Sequence, residues 1–337
     1  MGCSAMRKRT VVVAALALAL LAGCDCSGDG GGGSSSEPER TTIAVIPKGT
    51  THVYWRSVHA GALAAARELD VDVVWQGPVR EDDRDAQIRV VEDMIARGVS
   101  AIVLAPLDDT ALVPVATEAQ REGIPVVIFD SGINWDGRTS FVATDNYHGG
   151  VLAAERMNEL LSGHGRVILL RYQEGSASTT RREAGFLETM RSRFGDIEIV
   201  SSNQYGGATT ETAYATAENL LVSHPDVDGV FTPNESTTFG MIRALDDAGQ
   251  AGEVKLVGFD ANESLVSALR EGHVHGLVLQ NPVRMGDLAV RTAVAHLNGE
   301  EVEARIDTGA TMVTADNMDE PDVAALLTPD LSILDAD

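Results

Sequence analysis

A chain of 337 residues is longer than one hydrophobic core usually grows, about 250–300 residues, so two domains are expected. A hydrophobic content of 44% with a mean hydropathy of -0.01 excludes a multispan membrane protein. The net charge of -24 excludes nucleic acid and an anionic bilayer surface as partners, because an acidic surface is repelled by both.

The first residues read as a targeting segment. Arg7-Lys8-Arg9 supplies a positive start, and Val11–Ala22 is an apolar run too short for a span, which needs about 20 residues. It ends in Leu21-Ala22-Gly23-Cys24, which resembles a bacterial lipobox. Residues 1–23 are therefore expected to be a lipoprotein signal peptide, with Cys24 lipidated. The chain would then sit in the cell envelope, periplasmic or extracytoplasmic, tied to the membrane through Cys24. After cleavage the remaining cysteines are Cys24 and Cys26, so the folded part offers no disulfide, thiol nucleophile or thiolate metal site. Residues 24–40 hold a Gly/Ser linker with nothing apolar to bury, and the fold is expected to begin near Thr41.

From there short Val/Ile-rich runs alternate with helical patterns. Ile43–Ile46, Val71–Trp75, Ala101–Leu104 and Pro125–Phe129 read as strands, and Tyr54–Leu69, Asp83–Arg97 and Thr110–Glu122 as helices. The pattern then repeats. Val167–Leu170, Ile197–Val200, Gly229–Phe231 and Lys255–Phe259 read as strands, separated by helices at Ser178–Arg193, Thr210–Ser223 and Ser236–Ala248. Continuous apolar strands between helices indicate parallel sheets covered on both faces. Two segments are near copies: Ile102-Val-Leu-Ala-Pro106 leads to Phe129-Asp130, and Gly229-Val-Phe-Thr-Pro233 leads to Phe259-Asp260. The fold class is thus α/β, with two similar doubly wound parallel-sheet lobes. Ligands of such sheets bind beyond the carboxyl ends of the strands, where Asp130 and Asp260 stand.

Several segments in this order resemble the type I periplasmic binding proteins, on the ribose-receptor branch of sugar binders. They are Ala60-Gly61-Ala62 after an aromatic pair, Gly123–Asp130, Ala143–Gly150, Arg181-Arg182-Glu-Ala-Gly-Phe186, His224–Val227, Val230–Asn234 and Val257–Asp260. The resemblance spans about Thr41 to Asp316. It implies three hinge crossovers, near Asn146, Leu279 and Gly309, and a helix at Pro282–Leu297 that completes the first lobe. The N-terminal lobe would comprise 41–145 plus 281–309, and the C-terminal lobe 146–280 plus 310–337.

The resemblance also implies a site. Tyr54 and Trp55 would pack on a sugar ring, with one of the two anchoring its helix to the sheet instead. Asp130 and Asp260 would accept from sugar hydroxyls, as ionised carboxylates do strongly. Arg182 would fork onto ring oxygen and hydroxyls, while its neighbour Arg181 makes a solvent salt bridge. Asn234 and Gln280 match amide positions, though Asn234 is equally placed to cap a helix and Gln280 to be a plain hinge residue. His52 stands where the ribose receptor has Asn, Ala105 where it has Asn, and Ser131 where it has Arg. Those departures suggest a roomier pocket and a hexose or polyol, and Tyr205 is a candidate for a missing second-lobe aromatic.

The expected function is therefore the substrate-binding lipoprotein of an ABC-type sugar importer, monomeric, taking a monosaccharide-like ligand by hinge closure. The alternative is a receptor presenting its loaded form to a sensor kinase or chemoreceptor. No cofactor, metal or nucleic acid is expected. Two carboxylates across a cleft also suit a glycosidase. However, no nucleophile elbow, metal-ligand cluster or phosphate loop accompanies them, so no enzyme is expected.

Overall fold

The apolar run after Thr41 forms β1 (Thr42–Ile46), and the alternation that follows builds a first sheet. In order come α1 (Val53–Leu69), β2 (Asp72–Trp75), α2 (Arg84–Ala96), β3 (Ala101–Leu104), α3 (Val113–Arg121), β4 (Val126–Phe129) and β5 (Ser140–Ala143). A second sheet follows with α4 (Asn146–Leu161), β6 (Gly165–Arg171), α5 (Ala177–Arg193), β7 (Ile197–Tyr205), α6 (Thr210–Ser223), β8 (Gly229–Phe231), α7 (Glu235–Asp247), β9 (Lys255–Phe259), α8 (Glu263–Glu271) and β10 (Gly276–Leu279). The chain ends with α9 (Pro282–Leu297), β11 (Arg305–Asp307), β12 (Thr311–Val313), α10 (Pro321–Leu327) and a 3-10 turn at Ser332–Asp335. The structure is a computed structural model that describes residues 40–335. The signal segment, Cys24 and the Gly/Ser linker expected from the sequence lie outside the described residues.

Each sheet has six strands, ordered β2-β1-β3-β4-β5-β11 and β7-β6-β8-β9-β10-β12. All neighbours are parallel except β12, which runs antiparallel to β10. The chain passes between the sheets at 144–145, 280–281 and 308–310, giving the doubly wound lobes and three crossovers expected. Central strands such as β3, β4 and β10 are buried along their whole length, as strands covered on both faces must be. Four apolar cores result, one on each face of each sheet.

The same packing device serves both lobes. In the first, α1 crosses α9 so closely that a Cβ on Gly61 would sit 1.9 Å from the Val283 carbonyl oxygen. In the second, α4 crosses α5 with Gly150 against the Arg182 carbonyl oxygen, at 2.0 Å for the same hypothetical atom. Only glycine permits backbones to meet at that distance.

Three boundaries shift for local reasons. The helix expected from Thr110 starts at Val113, because Asp108 Oδ1 accepts from the Thr110 and Ala111 amides and holds a turn there. The helix expected from Asp83 starts at Arg84, because Asp83 caps it by accepting from the Ala86 amide. Edge strand β7 runs on to Tyr205 through polar residues that stay half-buried or exposed.

The C-terminal segment departs from the expected second-lobe assignment of 310–337. Helix α10 does place Val323 and Leu327 in the second-lobe core. The chain then crosses once more, and the turn at Ser332–Asp335 lies on α1 of the first lobe, with Arg67 donating to the Ile333 carbonyl at 3.3 Å. Leu331, Ile333 and Leu334 are half-buried in this position, and Leu331 lines a pocket with Val53 and Tyr54 of α1.

Candidate functional site

Asp130 and Asp260 stand immediately after β4 and β9, and both have left-handed backbones, with φ of 59° and 64°. Each amide donates at 3.0 Å across to the next strand, Asp130 to the Val142 carbonyl and Asp260 to that of Val278. A non-glycine residue in this region costs about 1–2 kcal/mol, and Asp tolerates it better than most. The repetition of the same strained geometry in both lobes fixes two carboxylates at strand ends. Both are buried, and both line one cavity between the lobes.

The first-lobe wall grows from the segments after β1 and β2. Lys48 Nζ lies 3.0 Å from Asp130 Oδ2, and the Tyr54 hydroxyl donates to Asp130 Oδ1 at 2.9 Å. Trp55 packs edge-on to Tyr54 and to Phe129, while its Nε1 donates to Glu81 Oε1 at 2.6 Å. His52 Nδ1 meets the same oxygen at 2.9 Å. Burial opposes the charged form of both partners, yet their mutual attraction wins. His52 rises from its ordinary value to about 9, held up chiefly by Glu81, and Glu81 falls to about 2, held down by His52 and then Lys48.

The second-lobe wall is built around Asp260. Arg182 Nη1 stands 3.8 Å from Asp260 Oδ2 and donates to the Pro233 carbonyl at 2.8 Å. Its Nε donates to Asn146 Oδ1 at 2.7 Å, and its guanidinium lies over the Phe259 ring. Gln280 Nε2 donates to Asp260 Oδ1 at 2.8 Å. Burial pushes the Asp260 carboxyl up against the pull of Arg182 and Gln280, and nearby Asp130 adds to the rise. Asn234 caps α7, its Oδ1 accepting from the Thr237 amide at 3.3 Å and hydroxyl at 2.6 Å. Glu235 follows on the same wall, with Oε1 accepting from Asn262 Nδ2 at 3.0 Å; burial raises its carboxyl.

Several bonds cross between the lobes. The Tyr172 hydroxyl donates to Glu81 Oε2 at 2.6 Å, Gln173 Nε2 to the Glu81 carbonyl at 2.9 Å, and Lys48 Nζ to Ser178 Oγ at 3.0 Å. The Asp109 amide donates to the Gly175 carbonyl at 3.0 Å. The lobes are thus closed on one another, and the cavity left between the walls is about 30 Å³. Behind it, under Leu326–Leu331, lies a second pocket of about 180 Å³ that shares Tyr54, Asp260 and Gln280 as its wall.

Of the residues singled out in the sequence, His52, Tyr54, Trp55, Asp130, Arg182, Asn234, Asp260 and Gln280 line the cavity together. Ser131 does not line it; fully buried, it accepts at Oγ from the Ser178 amide at 3.1 Å. Ala105 is also fully buried off the wall, its carbonyl accepting from Gln87 Nε2 at 2.8 Å. Neither short side chain therefore contributes to the cavity wall. Tyr205 is elsewhere too, half-buried at the end of edge strand β7 under the Arg171 guanidinium. Arg181 lies over the Tyr147 ring and makes no ion pair among the described residues.

The wall also holds Lys48, Glu81, Tyr172, Ser178, Thr179 and Glu235, which the sequence reading passed over. Lys48 and Tyr172 follow the ends of β1 and β6, so the strand-end rule that found Asp130 would have found them. Glu81 lies in a loop and carries no such signal.

A family model described as "Periplasmic binding protein domain" matches residues 43–301. The chain is 32% identical over 293 residues to the D-ribose/D-allose-binding protein of Pseudomonas aeruginosa, covering 82% of this chain and 90% of that protein. Among solved structures, it is similar to a carbohydrate transporter solute binding protein from Agrobacterium radiobacter in complex with D-arabinose. The TM-score is 0.83 and the identity 33%, over 86% of this chain and 99% of the other. An ABC transporter solute binding protein from Agrobacterium vitis with bound D-fucose gives a TM-score of 0.82 at 35% identity, over 85% and 100% of the two chains.

Proposed function

The chain belongs to the periplasmic binding protein family, and from that membership we propose that it captures one monosaccharide-sized polyhydroxy ligand between its lobes and delivers it to an ABC permease. It is a transport binding protein and not an enzyme, and it works outside the cytoplasm. The observation that carries the reading is the pair Asp130 and Asp260, held at matching strand ends and brought to one buried cavity. His52, Tyr54, Trp55, Arg182, Asn234 and Gln280 are assigned to the ligand with them, and Ser131 to supporting the second-lobe backbone. Capture proceeds by hinge closure about the three crossovers, with the Glu81–Tyr172 and Lys48–Ser178 bonds forming as the lobes meet. The protein acts as a monomer tethered by lipid on Cys24.

A thermal-shift screen of pentoses, hexoses and polyols tests the reading. A ligand at 100 times its Kd should stabilise the folded protein by about 2.7 kcal/mol. The absence of any shift across the panel would sink the sugar assignment.

A further inference from the structure

Three of the four carboxylates on the cavity wall have a cation of that wall beside them. Asp130 has Lys48 at 3.0 Å, Glu81 has His52 at 2.9 Å, and Asp260 has Arg182 at 3.8 Å. Glu235, 8% exposed, has no ion pair at contact distance among the described residues, and feels the His52 imidazolium only from farther off. Its Oε1 is engaged by Asn262, whereas its Oε2 is buried without a hydrogen-bond partner. Gln280 Oε1 is in the same condition, while Nε2 of that amide is spent on Asp260. On this wall the buried side-chain atoms without a hydrogen-bond partner, Asp130 Oδ2 included, are all acceptors. Of these, Asp130 Oδ2 alone has an ammonium beside it.

A buried acceptor with no donor is costly, and a charged one more so. A bound molecule with a hydroxyl or amine against this wall would supply that donor. Glu235 is also the first residue of α7, a place where a helix would otherwise favour an anion. Asn234 caps that end, and the Glu235 carboxylate puts a negative charge there. The cations that might receive an anion are already engaged with carboxylates.

We infer that Glu235 is a specificity-determining residue of this site, forming with Gln280 an acceptor wall that takes a donor-bearing carbon of the ligand and turns away sugars carrying a carboxylate. The inference rests on the sugar-binding reading and deepens it. The donor is a hydroxyl or a protonated amine, and a sugar acid would set its oxygens against Glu235 Oε2. A purely structural role for Glu235, as an acidic residue in the first turn of α7, would affect folding but not the choice among ligands.

The test is Glu235→Gln in the full chain, which keeps the side chain's shape and its acceptor for Asn262 while replacing the bare oxygen with an NH2 donor. Calorimetric titration compares the wild type and the variant against aldoses, their aminodeoxy counterparts and their uronic acids. In the wild type the aldose and its amine bind, and the uronic acid binds about 100-fold more weakly. In the variant the aldose weakens about tenfold, and the ratio of uronate to aldose affinity rises by about tenfold or more. That ratio is insensitive to a general loss of stability. The inference is overturned, with the sugar reading intact, by a wild type that binds uronate as tightly as aldose or by a variant with an unchanged ratio. A wild type that binds no member of the panel overturns both.

Discussion

His52 and Glu81 show how one buried pair shapes the response to pH. The imidazolium is held up to about 9, above its ordinary value of 6.5, so the stability it contributes is complete below 6.5 and is lost as pH rises through 9. Glu81 is held down to about 2 from 4.5, so its contribution is complete above 4.5 and is lost as pH falls through 2. The His52–Glu81 attraction is the largest favourable part of both shifts, and each shift is worth on the order of 3 kcal/mol. Asp260 and Glu235, raised by burial, work in the opposite sense, disfavouring the fold once they ionise. Urea denaturation between pH 6 and pH 10 should show the alkaline fall, and His52→Gln should flatten it. A fall of equal size in the variant would assign it to other groups.

At the scale of elements, glycines decide how closely paired helices cross. The α1–α9 crossing admits no side chain at Gly61, since the obstacle is the Val283 backbone and not a movable side chain. Gly61→Ala should therefore force the helices apart and destabilise the protein by about 1–3 kcal/mol, or more if α9 cannot shift. A substitution at Gly123, where no atom lies within 4 Å, meets only the strain of its φ of 80° and serves as the control. Chemical denaturation of the two variants checks the difference. If Gly61→Ala is no worse than Gly123→Ala, the close crossing is not limiting.

For the whole molecule, lobe closure joins side chains from distant stretches of chain: Glu81 with Tyr172, Lys48 with Ser178, and the C-terminal turn with α1. Cys24→Ser should release the protein from the membrane fraction into the soluble envelope fraction while its ligand-induced thermal shift stays unchanged. Retention of the variant in the membrane would refute anchoring through Cys24. An altered shift would show that the tether and the site are coupled.

Much of this protein was legible in its sequence because the relevant signals are local. Apolar runs separated by helical periods specify parallel sheets, and the repeated Phe-Asp after two of them puts Asp130 and Asp260 where such sheets bind ligands. Even the last first-lobe helix could be placed at Pro282–Leu297, from the family resemblance. Which residues complete the wall was decided only by the tertiary structure. Glu81 reaches the cavity from a loop and is held there by Trp55, His52 and Tyr172, partners with no sequence pattern linking them. Ser131, expected at the ligand, is instead fully buried off the cavity wall, with its hydroxyl taken by the Ser178 amide, a partner that only folding brings near. Periodicity is a property of neighbours along the chain, whereas a cavity between lobes is made by residues that meet only after folding.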